Sequence, residues 1–251
     1  MAVQGFYDEL ASRYHLIYDD WTASIAHQGA ALDSLLQEHF PGRPQILDVA
    51  VGIGTQAIGL SALGHCVIGS DLSPRAVQRA ARETAGRGLT IPVAVADFSH
   101  LPVGTGTASV ILCCDNALPH LPSADAILAT LREWRRCLRP GGGCLMSMRD
   151  YGDPPPAGTV EDRPYGERLW QGRRYALRQI RTWHGPRYEL AMEMTALDGD
   201  DERFPTIRSD YLAIAPSQVL RLMIEAGFER VTRLDGRFFQ PVLVGFVPPV
   251  Q

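Results

Sequence analysis

The chain has 251 residues, 24 basic and 28 acidic side chains, a net charge of −4 and 45% hydrophobic residues. That length holds one large domain, or a core with an insertion, and the slight negative charge lacks the basic stripe of a nucleic-acid protein. No apolar run reaches membrane-spanning length, the N-terminus opens without a signal-peptide core, and five cysteines (Cys66, Cys113, Cys114, Cys137, Cys144) show no C-x-x-C spacing, so reduced buried thiols in a cytoplasmic protein are expected, without metal or disulfides.

In chain order, residues 5–16 and 22–38 read as helices, the second with Ile25, Ala31, Leu32, Leu35 and Leu36 at helical spacing. Pro41-Gly42-Arg43-Pro44 breaks the chain, and 45–49 is a buried strand. A helix over 55–63 ends at Gly64, and a second strand over 66–71 closes on Asp71. Ser73-Pro74 starts the next helix, with serine as cap and proline in the first turn, running to Gly86. Strands follow at 90–96 and 108–114, then a helix over 123–138. Arg139-Pro140-Gly141-Gly142 reads as a turn into a fifth strand over 144–148.

This alternation predicts an α/β fold of βαβ units on a parallel sheet with right-handed crossovers. After Arg149 the pattern changes. A rigid Pro154-Pro155-Pro156 loop precedes strands at 173–183 and 187–197, joined through His184-Gly185-Pro186, and a strand at 206–213. A helix over 217–226 and strands at 228–233 and 242–247 close the domain. The arginines crowded between Arg163 and Arg187 read as a solvated sheet edge.

Each parallel strand ends on a polar residue: Asp48, Asp71, Asp97, Asp115 and Arg149. Five such residues along one sheet edge form a site, because open α/β sheets bind ligands there. Asp48 precedes Gly52 by four residues and Gly54 by six, and the loop opens a helix N-terminus. Ala57 completes a G-x-G-x-x-A pattern, so the glycines alone leave a dinucleotide open. The acids favour S-adenosylmethionine (SAM). Asp48 suits a cationic amino group, Asp71 a pair of ribose hydroxyls, and Asp97-Phe98 an adenine amino group and ring. Near a pyrophosphate, Asp48 would be repulsive. The plain alternative makes Asp48 and Asp71 helix caps, although both close strands.

These motifs resemble class I SAM-dependent methyltransferases. Asn116-Ala117-Leu118-Pro119-His120-Leu121 and Arg149-Asp150-Tyr151 are similar to the narrower glycine N-methyltransferase family. The resemblance implies a Rossmann-like fold: a seven-stranded, mostly parallel sheet with helices on both faces and an antiparallel insertion roofing the active site. The segments are 1–40 (N-terminal helices as a lid), 41–150 (SAM-binding core), 151–213 (substrate-side insertion) and 214–251 (closing helix and strands).

It further implies a cofactor set of Tyr14, Trp21, His27, Asp48, Ala50, Gly52, Gly54, Asp71, Leu72, Asp97, Phe98 and Asp115. On the acceptor side stand Asn116, His120, Arg149 and Tyr211. Arg149 would clamp a carboxylate, or form a fixed ion pair with Asp150 or Asp115. Asn116 is among the oxygens that would aim the methyl group. His120 is a general base or a loop-orienting residue. Where the family carries an arginine for the methionine carboxylate, this chain has His27-Gln28, and the triple proline also departs from the pattern. The expected reaction is in-line methyl transfer from SAM to a small-molecule amine, of amino-acid or natural-product type. Oxygen or carbon acceptors, an NAD(P)-dependent oxidoreductase (although no Tyr-x-x-x-Lys pair exists) and a non-catalytic SAM-binding protein are the alternatives. Nucleic-acid and membrane partners are not expected, and homo-oligomerisation stays open.

Overall fold

The computed structural model describes residues 3–198 and 204–249. Five strands lie parallel: β1 (Ile46–Asp48), β2 (Val67–Asp71), β3 (Val93–Val95), β4 (Ala108–Cys113) and β5 (Leu138–Ser147). With β10 (Glu229–Leu234) and β11 (Val242–Phe246) they form a seven-stranded sheet in the order β10-β11-β5-β4-β1-β2-β3. Only β11 runs against its neighbours. The order reverses between β1 and β4, so their carboxyl ends open a crevice.

Two apolar clusters fill opposite faces of this sheet. One packs Trp134, Leu131 and Met223 against β4 and β5, and the other packs Leu32, Leu36 and Ile58 against β1. The helices are α2 (Trp21–His39), α3 (Thr55–Ala62), α4 (Pro74–Gly86), α5 (Ala124–Cys137) and α6 (Pro216–Glu225). Ser73 caps α4, its hydroxyl accepting from Ala76 N–H at 3.0 Å. Helices α2 and α3 touch at Gly29 and Gly59, where a Cβ on Gly59 would lie 2.4 Å from the Ile25 carbonyl oxygen. This contact brings α3, the helix that follows the glycine loop, close against α2.

A second, antiparallel sheet has the order β6-β7-β8-β9: β6 (Val160–Trp170), β7 (Arg173–Trp183), β8 (Arg187–Ala196) and β9 (Ile207–Leu212). The sequence pattern does not anticipate β6. It is an edge strand exposed along most of its length, with a register shift between Pro164 and Gly166, so it carries no alternation to read. The crowded arginines largely occupy this solvated edge: Arg178 pairs with Asp162 at 2.5 Å and Arg174 with Asp198 at 2.9 Å. Exposed pairs of this kind add little stability. Arg181 is an exception, being buried.

The first expected helix is interrupted. A helix α1 (Val3–Leu10) is followed by a separate 3₁₀ turn over Tyr14–Ile17. Phe6 and Leu10 pack into the second sheet with Tyr188, Leu190 and Tyr211, which draws this segment across the crevice. Polar ties hold it there. Asp8 accepts from the Ser73 hydroxyl at 2.6 Å and from Arg75 N–H at 3.1 Å, while Arg79 donates to the Ala11 carbonyl at 2.7 Å.

Two further expectations need correction. Residues 139–142 lie within β5, with the irregularity absorbed by a register shift against β4. Cys66, just ahead of β2, is exposed, whereas the other four free thiols are buried. Among the described residues no helix is long and apolar enough to cross a membrane.

Candidate active site

Two adjoining cavities occupy the crevice, of about 150 and 530 Å³. Four residues line both: Tyr7, Tyr14 and Tyr18 from the N-terminal segment, and Asp115 from the end of β4. The first cavity is floored by the loop after β1. Gly52 has φ +53° and Gly54 φ +97°, a region side chains avoid, and this turn is what presents backbone N–H groups at the start of α3. Tyr14 lies over it, its ring 3.5 Å from where a Gly52 Cβ would stand.

Asp71 organises this floor, its Oδ2 accepting from Gly52 N–H and its Oδ1 from Ser73 N–H, both at 2.9 Å. Burial pushes its pKa up, and these backbone bonds oppose the shift. Asp97 lines the far end, with Oδ1 bound to the Ser99 N–H and hydroxyl, and Phe98 stands edge-on to Trp134 with centroids 6.1 Å apart. Ala50, Leu72 and His120 complete the wall.

The second cavity carries three of the four expected acceptor-side residues, Asn116, Arg149 and Tyr211. Asp115 and Asn116 hold consecutive positive φ angles of +55° and +64°, which aspartate and asparagine tolerate better than most side chains. Strain of this kind concentrates at functional sites. The Asn116 side chain is engaged: Oδ1 accepts from Arg149 N–H at 3.0 Å and from the Tyr151 hydroxyl at 3.2 Å. Asn116 therefore fixes the Arg149 backbone instead of presenting a free oxygen. Arg149 reaches the Tyr188 hydroxyl at 3.4 Å, and among the described residues no carboxylate lies within 4.0 Å of it. Asp150, the partner considered for it, is bound by Arg233 at 2.7 Å, and the nearer contact of Asp115 is Gln240 at 3.3 Å. Tyr211 stacks on Tyr188 with ring centroids 5.1 Å apart.

Several expected positions move. Trp21 lines neither cavity: its indole donates to Thr55 Oγ1 at 2.8 Å and its ring faces the Arg79 and Arg87 guanidiniums. Gly54 lies inside the turn as the cap of α3, its would-be Cβ pressed on Ile58. Asp48 sits one layer behind the lining, 1% exposed. His27 lines the second cavity rather than the first. His120 lines the first rather than the second; its Nε2 lies 2.8 Å from the Tyr7 hydroxyl, and burial pushes its pKa down to about 4. A neutral ring of that basicity suits a role in positioning Tyr7. The sequence reading missed Tyr7, Tyr165, Gln179 and Gln240, while Gln28, named beside His27, does line the second cavity. Of the missed residues only Tyr7 carried a signal, through its place in the N-terminal lid segment.

Residues 46–142 match the methyltransferase domain family. The chain is 27% identical over 237 residues to the glycine/sarcosine N-methyltransferase of Parasynechococcus marenigrum, spanning 91% of this chain and 77% of that one. Its fold superposes on Streptomyces venezuelae DesVI with a TM-score of 0.79 at 19% identity, covering 95% of this chain and 98% of that one. SAM-bound CalS10, an amino pentose methyltransferase from Micromonospora echinaspora, gives 0.74 at 18% identity, with 89% and 91% covered. Residues 46–142 are a methyltransferase domain, and the relatives and the shared fold together support a class I SAM-dependent methyltransferase.

The residues of this methyltransferase suit that cofactor. Asp48 Oδ2 is buried without a hydrogen-bond partner among the described residues, an arrangement a nearby cation would relieve. Burial pushes the Asp48 pKa up to about 7, with the Asp71 charge adding to it against the Ala50 N–H. A cationic amino group favours the ionised carboxylate. SAM binding is therefore expected to release a proton at about pH 6 and to tighten as pH rises towards about 7, levelling above it. Calorimetry in two buffers of different ionisation enthalpy reads this directly. Proton-neutral binding would remove Asp48 from the interaction.

Proposed function

We propose that this methyltransferase methylates the nitrogen of a small-molecule amine that also bears an anionic group. The observation that carries the reading is Arg149, a guanidinium lining the larger cavity with no carboxylate within 4.0 Å among the described residues. A cation so placed favours a carboxylate or phosphate on the ligand, held by a two-pronged contact. A volume of about 530 Å³ favours an acceptor larger than glycine. The relatives lean the same way, one named for glycine and sarcosine and another for an amino pentose.

When bound, SAM supplies an electrophilic methyl carbon attached to a positively charged sulfur. Asp71 would hold the ribose hydroxyls, Asp97 and Phe98 the adenine, and Asp48 the amino group from behind the lining. Asp115 is the residue best placed to serve the acceptor. Its carboxylate faces both cavities, where it can orient an amine and take up its proton. Burial raises the Asp115 pKa, opposed by the Arg149 charge and the Gln240 contact, which suits a proton acceptor better than an ordinary surface carboxylate does. Tyr7 and Tyr14, whose pKa values burial pushes well above 10, stay protonated and present neutral phenols at the seam. They also exclude water from it.

A screen with methyl-labelled SAM over paired amines, with and without a carboxylate, tests the reading. Anionic members are expected to be preferred, and Arg149→Ala should raise their KM about 10- to 100-fold while leaving SAM affinity intact. Equal turnover of both sets, or labelling confined to hydroxyl acceptors, would refute it.

A further inference from the structure

On β7, Gln179, Arg181 and Trp183 occupy alternate positions and so share the inner face. They are 3%, 7% and 3% exposed. Each keeps one polar atom without a hydrogen-bond partner among the described residues: Gln179 Oε1, Arg181 Nε and Trp183 Nε1. Buried groups left unpaired are rare and unfavourable. Three in one row along a strand, spanning about 13 Å by strand geometry, point to a ligand lying along them.

The row joins two spaces. Gln179 lines the acceptor cavity, while Arg181 and Trp183 line a further chamber of about 430 Å³. Arg149 and Gln240 line both, so the chambers adjoin. The free atoms of Arg181 and Trp183 are N–H donors, which calls for an acceptor opposite them. Charge makes that acceptor an anion. Glu161 is shared between Arg163 at 3.1 Å and Arg181 at 3.6 Å, Asp150 is held by Arg233, and Asp153 is exposed at the rim. Burial lowers the Arg181 pKa, the charges of Arg149 and Arg163 add to that, and Tyr188 and Glu161 oppose it only in part.

We infer that the methyl acceptor is elongated, running past Arg149 along β7, with an oxyanion bound at its far end by Arg181 and Trp183. This rests on the reading of the larger cavity as the acceptor site.

The test uses the full chain, SAM and a series of α,ω-dicarboxylates from malonate to sebacate, titrated calorimetrically. Affinity is expected to peak at a length that engages Arg149 and Arg181 together. Arg181→Gln should lower the affinity at that peak about 10- to 100-fold with SAM affinity unchanged, and Trp183→Phe, which keeps the ring, should lower it severalfold. Arg178→Gln, on the exposed face, should change nothing. A flat series, as a row hydrated only by water would give, overturns the inference, as does a peak indifferent to both inner-face variants. If Arg181→Gln does not fold, Trp183→Phe decides. Loss of SAM binding by the parent chain would instead refute the cofactor reading, while the dicarboxylate series still reports on the row.

Discussion

Asp115→Asn is expected to lower kcat about 10²- to 10⁴-fold with SAM affinity little changed. Asparagine matches the shape, tolerates φ +55° and keeps an oxygen for the Gln240 amide, which donates to Asp115 Oδ1 at 3.3 Å. What it loses is the capacity to take a proton at the seam between the two cavities. The sign of the pH effect follows. With Asp115 in the proposed role the parent enzyme needs the carboxylate ionised, so its rate is expected to rise as pH climbs through a pKa that burial has raised, and the variant should lack that limb. His120, held down at about 4, contributes no limb near neutrality. A variant retaining the parent kcat and acid limb would reassign the proton to solvent.

The second large effect is on SAM itself. Asp71→Ala removes the acceptor for the Gly52 and Ser73 N–H groups, both bound at 2.9 Å, and with it the proposed ribose contact. Hydrogen bonds to a charged group contribute about 1.5–3 kcal/mol each. Loss of even the ribose pair should weaken SAM by about 10²-fold or more. Asp71→Asn separates the parts, since it keeps one acceptor oxygen but no charge. Calorimetry gives the affinity, and thermal unfolding without ligand gives the share due to the loosened loop. Unaltered affinity in the alanine variant would place the ribose elsewhere.

The main sheet was readable because its strands are short apolar runs closed by acids and separated by amphipathic helices. Each strand end therefore announced both an element and a polar residue at the ligand-binding edge. Asp71, Asp97, Asp115 and Arg149 stand where that logic places them. The second sheet was harder. In β6, charged residues fall on both faces, with Asp162 beside Arg163 and Glu167 beside Arg168, so no period of two emerges. The β7 pattern misleads in another way. Tyr175 and Leu177 mark an apolar face, yet Gln179 and Arg181 continue the same face into the interior. Local composition cannot reveal a polar lining whose counterparts lie on other elements or on a ligand. For the same reason Trp21, expected in the cofactor set, is occupied by Thr55 and two arginines contributed from α3, α4 and its end.

The partition between the two cavities has a consequence for turnover. Three of its four members, Tyr7, Tyr14 and Tyr18, belong to one short stretch of chain pinned by Asp8, Arg79 and Arg168. On the proposed reading donor and acceptor share this wall, and unlatching it would uncover both compartments at once. Departure of the spent nucleoside and of the methylated product would then be one gated event, paced by how firmly three side chains hold a dozen residues in place.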